Sequence, residues 1–182
     1  VRPNRNVRFQ PTEGYRIEKF RDPISRRRIP MLAAAVSAER VFDLFLDLLE
    51  PLGETVHAVL ETSHDSVDDF HLDMRRSEID RSVLASYFCE FEDLLRDDGC
   101  TSVAVIADGR PVEVQFDEHK LLFVYAHNLR PFRKVLRRHG IRRDDKMNLI
   151  AETEHLHHST TVQAEQFQQL CRMIGAGNLE YA

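Results

Sequence analysis

Tryptophan is absent from the sequence, and glycine, proline and cysteine are scarce, at seven, seven and three of 182 residues. With 42% hydrophobic residues, this composition excludes a collagen-like or disordered chain and indicates an ordinary folded protein. Three widely spaced cysteines form no disulfide framework and favour a reducing compartment, so we expect a cytoplasmic location. No run approaches the roughly 20 apolar residues that cross a bilayer, and we expect no membrane partner.

Several chemical motifs are missing as well. The sequence contains neither the glycine-rich loops that bind nucleotide phosphates nor the Gly-x-Ser-x-Gly turn of many serine hydrolases. It also lacks the helical His-Glu-x-x-His spacing of metalloproteases. Because no catalytic pattern stands out, the sequence favours a protein without enzymatic activity.

Charge is distributed in blocks along the chain, although the net charge is only −5. Residues 31–100 hold five basic and seventeen acidic residues, whereas residues 129–146 hold eight basic and two acidic ones. Blocks of opposite sign can steer the association of proteins. The overall acidity argues against nucleic acid as the partner, because typical nucleic-acid binders are basic.

Hydrophobic spacing predicts alternating strands and helices. Long helices are predicted behind Ser37, Ser77 and Thr160, residues that can each cap a helix N-terminus. A shorter helix is predicted around Phe132. Strands are predicted at Ile29–Val36, Glu54–Thr62, Thr101–Ala107, Pro111–Phe116, Lys120–Ala126 and Met147–Glu152. This list predicts an α+β fold with antiparallel or mixed sheets and helices packed mainly on one face.

The element order also predicts an internal duplication. Residues 1–100 and 101–182 can both be described as three strands, a helix, a strand and a helix. In the first half, the opening strand would be Asn6–Gln10, and disorder of residues 1–12 is the alternative. We therefore expect two related β-β-β-α-β-α halves that share one core as a single compact unit.

From Ser77 onward, the predicted order is helix, three strands, helix, strand and helix. This order resembles the type III secretion chaperone-like fold, which also occurs in small bacterial regulators. The resemblance lies in element order, covers roughly the second half of the chain and is supported by no residue motif. It implies an expectation about the fold alone.

The densest group of reactive side chains lies between Glu152 and His158. This segment also holds His155 and His157, and imidazole is a ligand for zinc, copper, nickel and iron. In an extended strand, His155 and His157 would point to the same face and supply two ligands. In the predicted duplication, residues 61–64 correspond to residues 152–155, and this match suggests His64 as a further ligand. A metal-dependent enzyme or metal-binding protein that holds a divalent transition metal is therefore an alternative function.

One matched pair of helices differs in charge. Asp43 and Asp47 in the first half correspond to Arg133 and Arg137 in the second, which predicts attraction within one chain or across a homodimer. We accordingly favour a non-enzymatic protein-binding or regulatory module with a protein partner or a second copy, and with no cofactor. A third possibility is a nucleic-acid binder that uses basic residues 130–143, including Arg133 and Arg137, as phosphate contacts.

Overall fold

The computed structural model describes residues 1–21, 26, 28–64 and 72–178. In chain order, its strands are β1 (Arg2–Pro3), β2 (Gly14–Arg21), β3 (Arg28–Ala35), β4 (Thr55–Thr62), β5 (Leu72–Asp80), β6 (Thr101–Ala107), β7 (Glu113–Phe116), β8 (Leu122–Tyr125), β9 (His155–Leu156) and β10 (Gly177–Asn178). Eight of them form an antiparallel sheet in the order β10-β5-β4-β6-β7-β8-β3-β2, while β1 pairs with β9 in a separate ribbon. The predicted α+β class with antiparallel pairing is confirmed.

Helices cover one face of the large sheet. The described residues contain α1 (Ala38–Leu49), α2 (Arg81–Glu90), α3 (Glu92–Asp97), α4 (Arg130–Arg138) and α5 (Thr161–Ile174). All five contribute buried side chains to one hydrophobic core with the sheet. At its centre, the ring of Phe45 lies 5.2 Å from that of Phe116 and 5.6 Å from that of Phe88. No helix in this described part of the chain has the length and apolarity to cross a membrane.

The opposite face of the sheet is partly covered by the segment around Met147. Met147 and Leu149 are buried against Ala33 and Leu121 in a second, smaller cluster. The prediction of a strand at 147–152 is wrong, because this segment makes no strand pairing and ends in a short 3-10 helix, Ile150–Glu152. Alternating apolar residues suit an extended covering segment as well as they suit a strand.

The predicted helix start at Ser77 is also wrong. Residues 72–80 form β5, which pairs along most of β4. Asp80 caps α2 instead, and its Oδ1 accepts hydrogen bonds from the backbone N–H groups of Ser82 at 2.8 Å and Val83 at 3.1 Å. Long-range pairing with β4 therefore overrides the local capping preference of Ser77.

These differences leave the internal duplication unconfirmed. In the first half, Thr55–Thr62 forms β4, an interior strand of the sheet, but the matched residues 147–152 lie outside the sheet. Asn6–Gln10 forms no strand. Part of residues 1–12, the stretch expected to be either a strand or disordered, is paired, because Arg2–Pro3 pairs with His155–Leu156.

Candidate metal centre

Three segments that are distant in sequence meet at one end of the sheet. They are the turn from α3 into β6 around Gly99, the turn between β7 and β8, and the extended chain around β9. Two of them contribute a cluster of three histidines: His119 from the β7–β8 turn, and His155 and His157 from the chain around β9. The turn around Gly99 supplies the carbonyl that faces His157 Nδ1. We call these three residues the histidine cluster.

The β7–β8 turn is held in place by Asp117. Its backbone N–H donates to the Leu121 carbonyl at 3.0 Å, and its Oδ1 accepts from the Leu121 N–H at 2.8 Å. Lys120 takes a left-handed conformation with φ of 65°, which lets the chain reverse within five residues. These bonds fix the position of His119 at the tip of the turn.

The chain around β9 is held against the turn from α3 to β6. The Gly99 N–H donates to the His158 carbonyl at 2.9 Å, and the Gly99 carbonyl accepts from His157 Nδ1 at 2.5 Å. A Cβ atom at position 99 would lie 2.9 Å from both the backbone N and O of His158. Glycine is therefore required for this close approach.

The ligand atoms of the histidine cluster converge. His155 Nε2 lies 2.9 Å from His119 Nε2 and 3.0 Å from His157 Nε2. Zinc–nitrogen bonds of about 2.0–2.1 Å in a tetrahedral site place neighbouring nitrogens roughly 3.3 Å apart. His155 Nε2 is therefore a few tenths of an ångström closer to its two neighbours than zinc ligands would be, and all three ligand atoms lie within 4.8 Å of one another.

The second nitrogen of each ring shows which nitrogens carry protons. Nδ1 faces the Asp117 carboxylate at 2.7 Å in His119, the Thr153 carbonyl at 2.6 Å in His155 and the Gly99 carbonyl in His157. Ionised carboxylate and carbonyl oxygens only accept hydrogen bonds, so each Nδ1 must be the donor. In neutral rings, all three Nε2 atoms then present lone pairs to one another.

Charge near His119 favours a cation at this place. Burial lowers the pKa of His119, but the hydrogen bond and the negative charge of Asp117 outweigh it, and the pKa lies above the ordinary 6.5. A carboxylate that accepts from the non-ligating nitrogen of a metal-binding histidine also raises the basicity of the other nitrogen. Asp117 therefore occupies the position of the carboxylate that, in metal sites, accepts from the non-ligating nitrogen of a histidine ligand.

A cavity of about 540 Å³ opens beside His119. Its wall is mainly apolar, with contributions from Val36, Val41 and Ile150. Lys120 also lines it, but the amine donates to the carbonyls of Leu95 at 2.9 Å and Thr101 at 3.1 Å, and burial lowers its pKa to about 8. The cavity thus offers a small molecule an apolar space next to the histidine cluster.

No family model matches this chain, and neither curated proteins nor solved structures show significant similarity to it. Evidence on function therefore comes from the site itself.

Two of the five metal ligands predicted from the sequence, His155 and His157, come together, and the third histidine of the cluster is His119. His64 lies elsewhere, with its Nε2 3.0 Å from Asp98 Oδ2 and its Nδ1 2.5 Å from Thr62 Oγ1. The His64 Nε2 atom is buried and has no hydrogen-bond partner in the described part of the chain, although the Asp98 carboxylate lies beside it.

Glu152 and His158 also lie outside the histidine cluster. The Glu152 carboxylate pairs with Arg16 and accepts from the Leu149 N–H at 2.9 Å, and the hydrogen bond from Arg16 lowers its pKa. The His158 side chain is exposed, and only its backbone touches Gly99.

His119 was missed because its sequence context carries no metal-ligand spacing. Predicted strands at 111–116 and 120–126 place it in a turn, which is the only signal that the sequence offers. Which other segment this turn meets depends on the strand order β6-β7-β8 and on the return of the chain to β9. Neither can be inferred from local periodicity.

The predicted interaction residues are distributed over two surfaces. Helices α1 and α4 do contact each other, but Asp47 pairs there with His139 at 2.6 Å and Arg138 at 3.1 Å. Asp43 is exposed on α1, and Arg133 and Arg137 line a basic groove on the other side of α4. The role of these four residues in binding a partner stays a prediction.

Proposed function

We propose that this protein binds a divalent transition metal, with zinc as the best match, through Nε2 of His119, His155 and His157. The observation that carries this proposal is the orientation of the three rings. Each Nδ1 faces an acceptor, and the three Nε2 atoms converge within 4.8 Å of one another, an arrangement that a shared cation would stabilise.

Zinc fits this donor set for a chemical reason. Three imidazoles with no thiolate are the ligands of the open, catalytic type of zinc site, in which water or substrate takes the fourth position. The residues around the cluster supply the hydrogen bonds that orient all three rings, as metal sites require. His157 is exposed, which gives an ion a path from solvent.

The arrangement also supports chemistry at the metal. Zinc lowers the pKa of a bound water to about 7 and can polarise a carbonyl or phosphoryl oxygen. The apolar cavity beside His119 would hold the substrate of such a reaction. Metal-dependent hydrolysis or hydration is the activity that this site would suit.

The test is zinc binding by protein that carries no histidine tag, titrated in competition with a chromophoric chelator. We expect one zinc per chain, and an affinity loss of more than about a hundredfold in His119→Ala, because one of three ligands is removed. His158→Ala is the matched control, since that exposed side chain lies within the same segment but outside the cluster. Its affinity should stay within about twofold of the unmodified protein.

A second measurement tests the same three ligands without relying on affinity. Nitrogen-15 NMR of the imidazoles at alkaline pH should show Nδ1–H tautomers for all three rings in the metal-free protein, and zinc should shift the three Nε2 signals together. The proposal fails if His119→Ala binds zinc normally, if His158→Ala loses as much affinity, or if no stoichiometric binding occurs.

A further inference from the structure

A basic groove follows one side of helix α4. Six cationic residues line it: Arg130, Arg133, Lys134 and Arg137 from the helix, and Arg142 and Arg143 from the chain after it. Arg143 pairs with Asp145 at 2.9 Å, and we call the other five the arginine groove. The groove has a volume of about 990 Å³. The four helical residues are spaced i, i+3, i+4 and i+7, so they form one stripe about 10 Å long.

The charges of the arginine groove are not balanced by the fold. Within residues 1–21, 26, 28–64 and 72–178, none of its five side chains forms an ion pair or a hydrogen bond. By contrast, Arg138 on the same helix pairs with Asp47 at 3.1 Å and Glu50 at 3.2 Å. One side of α4 is thus neutralised within the chain, while the other is left cationic.

This arrangement is unfavourable for the isolated helix. The four stripe residues repel one another at i, i+3 and i, i+4 spacing, and α4 contains no acidic residue to offset them. Arg130 and Arg133 also lie in the first turn, where the helix dipole disfavours positive charge. A bound anion would relieve both effects.

The floor of the groove adds an uncharged donor. Tyr15 is 7% exposed and lines the groove, held there by backbone hydrogen bonds to Arg142 at 3.0 Å and Asp144 at 2.8 Å. In the described part of the chain, its hydroxyl has no hydrogen-bond partner. Guanidinium groups with a hydroxyl beside them are the donors that bind phosphate oxygens.

We propose that the arginine groove binds a compact, multiply charged phosphate ligand, of the oligophosphate or nucleoside triphosphate class. The groove is about the size of a small-molecule site, and five cations match a ligand with several negative charges. A long nucleic-acid strand fits less well, because the rest of the chain is strongly acidic and the lining residues offer no exposed aromatic ring for base stacking.

The test is calorimetric titration of the full chain with inorganic tripolyphosphate and, separately, with ATP. A chelator is present throughout, so that a metal at the histidine cluster cannot bind the phosphate. The double variant Arg133→Gln/Arg137→Gln should lose at least about tenfold in affinity, since each arginine supplies charge-assisted hydrogen bonds. Affinity should also fall as salt rises from about 50 to 500 mM.

The control is Arg138→Gln, which removes one positive charge from the same helix outside the groove. Its affinity should stay within about twofold of the unmodified protein, and thermal unfolding confirms that both variants are folded. Equal loss in Arg138→Gln, or no loss in the double variant, would overturn the proposal. So would an absence of tripolyphosphate binding, or much tighter binding of a single-stranded oligonucleotide than of either compact probe.

Discussion

Two histidine sites flank the turn at residues 98–100, and they differ in how their polar atoms are paired. In the histidine cluster, three Nε2 atoms with lone pairs face one another. On the other side, the single ring of His64 lies between the Thr62 hydroxyl and the Asp98 carboxylate. The His64 side chain is only 7% exposed and Asp98 is fully buried.

This difference separates a histidine that has a carboxylate against its Nε2 atom from three histidines whose Nε2 atoms face one another. Around His64, Nδ1 pairs with the Thr62 hydroxyl, whereas Nε2 is buried beside Asp98 Oδ2 without a hydrogen-bond partner in the described part of the chain. Around His155, three Nε2 atoms converge while each Nδ1 faces an acceptor, and a shared cation is the group that we propose for this site. Residue type and burial alone would not distinguish the two, since both sites combine imidazole with a nearby carboxylate.

The largest effect that separates the two sites is expected from carboxylate-to-amide changes. In Asp98→Asn, a fully buried group that accepts from Thr101 Oγ1 at 2.5 Å and from the Cys100 N–H at 3.3 Å loses one acceptor oxygen. We expect the free energy of unfolding in urea, without zinc, to fall by about 3 kcal/mol. Zinc affinity of the folded protein should change little.

Asp117→Asn is the counterpart at the histidine cluster. The amide oxygen can still accept from Leu121, but the amide N–H₂ then faces His119 Nδ1 and favours the tautomer with a protonated Nε2. That tautomer cannot bind metal, so zinc affinity should fall about ten- to a hundredfold. If Asp98→Asn lost zinc and kept its stability, the distinction between the two sites would be wrong.

A smaller effect is expected from Gly99, which touches the histidine cluster from the shared turn. In Gly99→Ala, the new methyl group would lie 2.9 Å from backbone atoms of His158, which cannot rotate away. The chain at 157–158 must shift and carry His157 with it, so zinc affinity should fall about tenfold. The measurement is the same chelator competition.

Gly177→Ala provides the control for Gly99, because no atom lies within 4 Å of a Cβ atom there. It should bind zinc like the unmodified protein. Normal zinc binding by Gly99→Ala would show that the position of His157 does not depend on the 98–100 turn.

Much of the fold was predictable from the sequence, and the centre of the site was not. The apolar stripe of α1 and the capping residues Thr160 and Gln163 act locally, and the structure confirms both, with Thr160 Oγ1 accepting from the Gln163 N–H at 3.2 Å. His155 and His157 could be paired because they are two residues apart. His119 joins them only through long-range strand order, which leaves no trace in nearby residues.

The smallest predicted effect concerns the free energy of unfolding, whose two pH-dependent contributions at His119, from the proton and from zinc, should have opposite signs. The pKa of His119 is raised above 6.5 in the folded chain, so without zinc its protonation stabilises the fold below that pH. This stabilisation is lost as the pH rises through the folded pKa. Zinc competes with the proton for the same Nε2, so its stabilisation must grow over the same rise in pH.

Urea unfolding between about pH 6 and pH 8, with excess zinc or with a chelator, measures both trends. The proton and the metal are then alternative cations for the same three lone pairs. His64→Ala should leave the difference between the two stability curves unchanged, because the contacts of His64 are with Thr62, Asp98 and Phe167 rather than with the histidine cluster. If the free energy of unfolding changed with pH in the same way with and without zinc, the metal would bind somewhere other than His119.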